Sequence, residues 1–283
     1  MEQFPDLFKT AGVNHVAMFA KLFCSVLVIQ LLIGFQRQLH YFKTQPSRIY
    51  GKPIKLLGLF QLPSLNEHQF IFFGITLITS LSCVAIGIFP RLFIWIAFFS
   101  YFPYFNSILS LDYIQRKTNL LPFVLLILAV SSSLSKPLDA PATTWEIVLI
   151  KIGIAQLYFS AGLQKIRHAG ISWCSGKALQ AHLLENFLWS DRKSGYLLAR
   201  RQWLCAVFST LTLIFELSFW IIIFLPQLTM LYVATALFFH ISTLITMRIN
   251  YLKYLSPVYM IFFTTIAFEV KNYLGIQWQY IFP

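Results

Sequence analysis

Charge is what this chain has least of. Only 11% of its 283 residues are Asp, Glu, Lys or Arg, under half of the roughly 25% found in soluble domains. Gln69 to Pro90 holds no charge at all, and Gln202 to Met247 holds only Glu216 and the titratable His240. An ordinary soluble globular domain is thereby excluded. Cysteine is scarce too. Cys24, Cys83 and Cys205 lie inside apolar blocks, Cys174 lies in a loop, and no CxxC occurs. Neither a disulfide framework nor a thiolate metal site is supported, and inert buried thiols are expected. There is no Gly-rich phosphate loop, HExxH pair, GxSxG elbow or nucleotide fingerprint, so hydrolase and metalloenzyme chemistry find no footing. His15, His40, His68, His168 and His182 are scattered without metal-ligand spacing, and no second mid-span histidine could complete a haem site with His240. Alternating segments of about 10 residues, the mark of a membrane barrel, are missing. So are internal repeats, low-complexity tracts and a small-residue cleavage site near the N-terminus, so the first apolar block is expected to be an anchor and not a removed signal.

What is present is hydrocarbon in blocks. Hydrophobic residues make up 58% of the chain, and stretches of the about 20 residues needed to cross a bilayer recur. The expected fold is all-α: a polytopic transmembrane bundle forming one domain over 1–283, with spans near 15–35, 69–89, 92–111, 120–134, 145–166, 203–225, 227–247 and 256–271. Tight hairpins are expected at Pro90-Arg91 and at Pro226. Twenty-nine Phe, thirteen Tyr and seven Trp suit helix interfaces and headgroup belts. Two long connections, 36–68 and 167–202, interrupt the bundle. Alternate loops hold fifteen Lys/Arg against four on the other side. The positive-inside rule therefore places 36–68 and 167–202 in the cytoplasm and both termini outside. The net charge of +12 follows from this topology and from attraction to anionic headgroups. Nucleic acid is a poor partner, because the cations are spread over membrane loops instead of lining one groove.

Within 176–189, Leu179, Leu183, Leu184, Phe187 and Leu188 recur at helical spacing. That pattern predicts a helix lying flat at the membrane surface, with Lys177, His182 and Glu185 toward water, or a short helix packed on the bundle.

The candidate chemistry centres on Lys165, at the end of a membrane-length helix. A snorkelling anchor is one reading. The other is a base, since an ammonium half withdrawn from water is disfavoured and a neutral amine becomes available. Counting 1.5 Å per residue places Asn106 and His240 about 8 and 10 Å from the basic face, Asp112 and Lys165 at it, and Tyr158 roughly two turns deeper. Asn106, Asp112, Tyr158, Lys165 and His240 are therefore expected to converge on one cavity. His240 either bonds a neighbouring helix or relays protons. On the same count Lys151 and Glu216 reach similar depth from the opposite face and are expected to form an ion pair, with Lys21 and Glu269 completing a ring of charge.

Residues 158–176 carry a resemblance. Tyr158-Phe159-Ser160-Ala161-Gly162-Leu163-Gln164-Lys165-Ile166, followed by Trp173 and Gly176, resembles the recurring Tyr-Phe-x-Ala-Gly-x-x-Lys-(Leu/Ile) and Trp-x-x-Gly pattern of the vitamin K-dependent γ-carboxylase-like membrane proteins, the HTTM group. The resemblance implies a membrane core binding a reduced quinone of the vitamin K kind. Lys165 would be the base that deprotonates it, Glu216 and His240 would match the acid and histidine of the next spans, and Asn106, Asp112, Tyr158 and Trp173 would hold the cofactor. This chain has Thr118-Asn119 where the carboxylases carry an Asn-His pair, and no soluble domain is expected after its last span, so protein γ-carboxylation itself is not implied. The alternative function is a non-catalytic membrane helper for maturation, export or immunity of a small secreted peptide or a partner membrane protein, with 176–189 as its docking surface.

Overall fold

The computed structural model describes residues 13–44, 55–56, 60–61, 65–109, 120–134, 145–190 and 193–274. Its secondary structure is helical apart from one two-residue antiparallel pair, β1 (Lys55–Leu56) with β2 (Phe60–Gln61). The helices are α1 (Val13–Thr44), α2 (Glu67–Ile86), α3 (Pro90–Leu109), α4 (Leu120–Leu134), α5 (Trp145–Ala169), α6 (Lys177–Ser190), α7 (Lys193–Ala199), α8 (Gln202–Ser218), α9 (Ile221–Phe224), α10 (Thr229–Met247) and α11 (Leu252–Leu274), with 3₁₀ turns at Gly170–Ser175 and Pro226–Leu228. Among the described residues, four segments are long and apolar enough to cross a bilayer: Val16–His40, Glu67–Ile86, Trp145–Ser175 and Pro226–Met247. This is a helical membrane protein.

The expected eight spans are not all of that kind. Leu120–Ser133 and Gln202–Ser218 are apolar but shorter. The expected span 203–225 is interrupted. Phe219 and Trp220 keep helical dihedrals, but the N–H groups of Ile222 and Ile223 bond three residues back, to Phe219 and Trp220. At the end of α8, Ser218 Oγ donates back into its own helix, to the carbonyls of Ile214 and Phe215, and accepts from Tyr232 Oη at 2.8 Å.

The chain divides into two compact units, Met1–Ile150 with Ser256–Thr264, and Lys151–Leu255 with Thr265–Pro283. In the first unit the sequence sets the ends of α2 plainly. Asn66 accepts from the Gln69 amide while Gln69 Oε1 accepts from the Asn66 amide, a reciprocal cap. Gly87 closes the helix in the left-handed region at φ 86. Pro90 then opens α3, where its missing N–H costs nothing. The hairpin therefore turns at Gly87–Phe89, just before the Pro90-Arg91 corner expected from sequence.

Gly74 of α2 sits where Phe35 of α1 and Tyr104 of α3 converge. The rings of Phe35, Phe70 and Tyr104 stack, and Tyr104 Oη donates to Gln38 Oε1 at 2.6 Å. A Cβ at Gly74 would fall 2.5 Å from Phe35 Cε2 and 2.8 Å from Tyr104 Cε2. Both rings are hemmed by the stack and cannot yield cheaply. Gly74→Ala is expected to lower the thermal midpoint in detergent, at a cost of about 1–3 kcal/mol typical of overpacking; an unchanged midpoint would show that the stack is loose.

In the second unit α6 is a helix, as its spacing predicted, but its five apolar residues do not share a face. Leu183 is fully buried in a small core with Ala199 and Cys205, Leu179 packs against that core, and Phe187 stacks on Tyr196 at 4.9 Å. These three are four residues apart and point inward. Leu184 and Leu188 form a second strip, exposed beside Lys177 and Glu185. Leu183 is fully taken up by internal packing, whereas Phe187 stays half-buried against Tyr196.

Candidate functional site

The site is built on one stripe of α5. Tyr158, Gly162 and Lys165 fall at i, i+4 and i+7, so one face presents all three. Gly162 lets α8 come close: a Cβ there would stand 3.1 Å from Glu216 Cβ and from the Leu217 side chain. That approach brings Lys165 Nζ within 2.5 Å of both oxygens of Glu216. The carboxylate side chain is 4% exposed and the lysine 21%, so the lysine is the member of the pair open to an incoming group. Two opposite charges in contact can sit at depth at far smaller cost than either alone.

The stretch after α5 completes the surroundings of the lysine. Gly170 leaves the helix at φ 60, and the 3₁₀ turn carries Trp173 back so that Nζ lies 5.5 Å from its ring centroid, a cation–π distance. Trp173 Nε1 is buried and has no hydrogen-bond partner among the described residues. Gly176 ends the turn at φ 76, where its missing side chain lets the backbone lie on Cys205 and Ala206 of α8. The spacing Gly162, Lys165, Trp173, Gly176 thus has a local physical reason. Two glycines admit α8 at two levels, and between them a lysine and a tryptophan meet over a carboxylate.

Two turns along α5, Tyr158 Oη and His240 Nε2 of α10 are 2.6 Å apart, a hydrogen bond whose direction follows the imidazole tautomer. Tyr158 also stacks on Phe219 at 4.3 Å and meets Phe215 edge-on. His240 also meets Tyr251, at 5.4 Å between ring centroids. Tyr251 lies in the connection after α10. Burial first, and then the negative charge of Glu216, push its phenol above the usual range, so it keeps its proton, and its capacity to donate, throughout the physiological range. Tyr251 links the two halves of the cluster, and sequence reasoning missed it. A tyrosine in a short loop offers no periodicity or motif by which to find it.

Of the residues expected to converge, Tyr158, Lys165 and His240 lie in this unit, where Glu216 and Trp173 join them. Asn106 belongs to α3 in the other unit, where its backbone is helical and its side chain lies outside the described residues; Asp112 lies outside them altogether. The expected pairing of Lys151 with Glu216 is corrected. Glu216 binds Lys165 through both oxygens, and Lys151 is buried elsewhere on α5. Depth counting failed because it ended the fifth span near Lys165, whereas the apolar segment runs on through the 3₁₀ turn to Ser175. Lys165 is therefore well inside the segment and level with Glu216. Lys21 is exposed on α1 and the side chain of Glu269 lies outside the described residues, so no ring of charge is drawn. All four cysteines are free, Cys24 and Cys205 buried. Among the described residues no group of three His, Cys, Asp or Glu could hold a metal.

Comparison with protein-family models, with curated proteins and with solved structures gave no match to this chain.

Proposed function

We propose that this integral membrane protein binds a reduced quinone, or a similar isoprenoid phenol drawn from the bilayer, at the α5–α8–α10 cluster and takes a proton from it. The supporting observation is the Lys165–Glu216 contact, in which the exposed partner is the amine and the buried partner is a carboxylate able to receive a proton. One of the protons on Nζ first passes to the Glu216 carboxylate, leaving a neutral amine. As a quinol hydroxyl meets that amine, its O–H bond breaks and a new N–H bond forms on the nitrogen lone pair. The charge then rests on the quinol oxygen, beside an ammonium that is positive again. The motif's lysine acts as base in this scheme and Glu216 as its proton sink. The Trp173 face lies close to Nζ, and Tyr158 with His240 supplies a hydrogen-bonding pair for a second ring oxygen.

Arginine separates basicity from charge, because a guanidinium keeps its proton. Purified protein in nanodiscs should bind a short-chain naphthoquinol and speed its oxidation by oxygen, which proceeds through the quinolate. Lys165→Met should weaken binding about tenfold or more, the loss of one charge-assisted contact. Lys165→Arg should keep most of the binding and lose the acceleration. Wild-type binding and wild-type rates in both variants would remove the proposal.

A further inference from the structure

A second feature of the same unit, independent of the quinone reading, lies where its membrane-length segments stop. The 3₁₀ turn after α5, α6, α7, the start of α8 and the end of α10 are tied together at one end. Gly176 lies on the Cys205–Ala206 backbone, and Gly195 lies where a Cβ would be 2.3 Å from the Thr246 carbonyl. Ser194 Oγ donates to the Ile245 carbonyl at 3.0 Å, and Gln180 Nε2 to the Ala199 carbonyl at 2.7 Å. Two of the apolar segments, Trp145–Ser175 and Pro226–Met247, terminate here, so the boundary between hydrocarbon and water falls across this surface.

Its chemistry is of two kinds, interleaved. Arg167, Lys177, Lys193, Arg200, Arg201 and Arg248 are all exposed. None of them forms an ion pair with an acid among the described residues, and the acid described at this end, Glu185, faces His182 at 3.7 Å. Between these cations stand large apolar side chains open to the surroundings, with Trp189 86% and Trp203 65% exposed. Water is a poor partner for the tryptophans and hydrocarbon a poor partner for the guanidinium groups. An indole ring rests best at headgroup level, and adjacent arginines fit a phosphate through paired N–H donors.

We infer that this end of the unit is a binding site for anionic phospholipids. Arg200 and Arg201, consecutive at the α7–α8 turn, hold the headgroup phosphate, and Trp189 and Trp203 lie against the upper acyl chains. The arrangement differs from the diffuse attraction of any basic loop to a membrane, because the tied turns gather the segments that carry these cations and rings at one end of the unit.

The test uses the full chain in nanodiscs and in detergent. Phosphatidylglycerol, titrated into a phosphatidylcholine background, should be retained in native mass spectra and should raise the thermal midpoint, whereas phosphatidylcholine alone should do neither. Arg200→Gln with Arg201→Gln should lower the phosphatidylglycerol affinity about tenfold or more and leave the midpoint in phosphatidylcholine unchanged. Arg37→Gln with Lys43→Gln, which removes equal charge from exposed positions of α1, should leave phosphatidylglycerol retention as it was. Trp189→Ser with Trp203→Ser should weaken retention of the lipid. Three results would overturn the assignment: equal retention by the double arginine variant, an equal loss in the α1 variant, or full reproduction of the stabilisation by inorganic phosphate.

Discussion

Gly176→Ala should dismantle the end of α5 and its seat on α8. At φ 76 an alanine carries the strain of the left-handed region, and its Cβ would stand 2.2 Å from the Ala206 amide nitrogen and 2.5 Å from the Cys205 carbonyl carbon. Backbone inside a helix cannot swing aside as a side-chain tip can. Strain of about 1–3 kcal/mol and a steric clash act together, so a total beyond about 4 kcal/mol is expected, in the range reserved for special sites. Gly170 supplies the control. It has φ 60 and nothing within 4 Å of an added Cβ, so Gly170→Ala should show the conformational term alone, about 1–2 kcal/mol. Thermal unfolding of the two variants in the same detergent decides the matter. Equal midpoints would mean that the contact with α8 contributes nothing.

The second large effect is expected at the ion pair. Lys165→Met leaves a carboxylate that is 4% exposed without its counter-charge, and removing one partner of a buried pair costs about 3–5 kcal/mol. Glu216→Leu leaves the more accessible lysine, whose long stem can carry its ammonium toward water, so the loss should be smaller. The double variant replaces the pair with hydrocarbon and should recover most of the stability, since such replacements are often neutral or better. A denaturation cycle over the four proteins measures the coupling. Singles that each cost under about 1 kcal/mol, the level of exposed pairs, would show that water reaches both groups.

Much of this site could be read from residue spacing alone. Tyr158, Gly162 and Lys165 share a face by simple helical arithmetic, and the cap at Asn66 with Gln69 is visible as letters. Pairing between helices was not legible in the same way. Assigning Glu216 to Lys165 requires knowing where α5 stops, and the 3₁₀ continuation through Gly170–Ser175 moves that end by several residues. Leu179, Leu183 and Leu184 look alike in one dimension, and only the position of Ala199 and Cys205 decides which of them turns inward. Tyr251 reaches the cluster because α10 ends in a left-handed Arg248 at φ 58, a conformation that an arginine's identity does not announce.

The tightened turn after Ser218 has a bearing on motion. In hydrocarbon a backbone group released from the helical ladder costs several kcal/mol unless something else receives it. Here the N–H groups of Ile222 and Ile223 are received three residues back, by Phe219 and Trp220, and the serine before them is held by Tyr232. The rod formed by α8 and α9 therefore has a joint just past that serine. Phe219, the shelf on which the Tyr158 ring lies, is the first residue past that serine. Flexing there would shift the Phe219 ring against the Tyr158 phenol, while the Lys165–Glu216 pair, which lies before the joint, keeps its place.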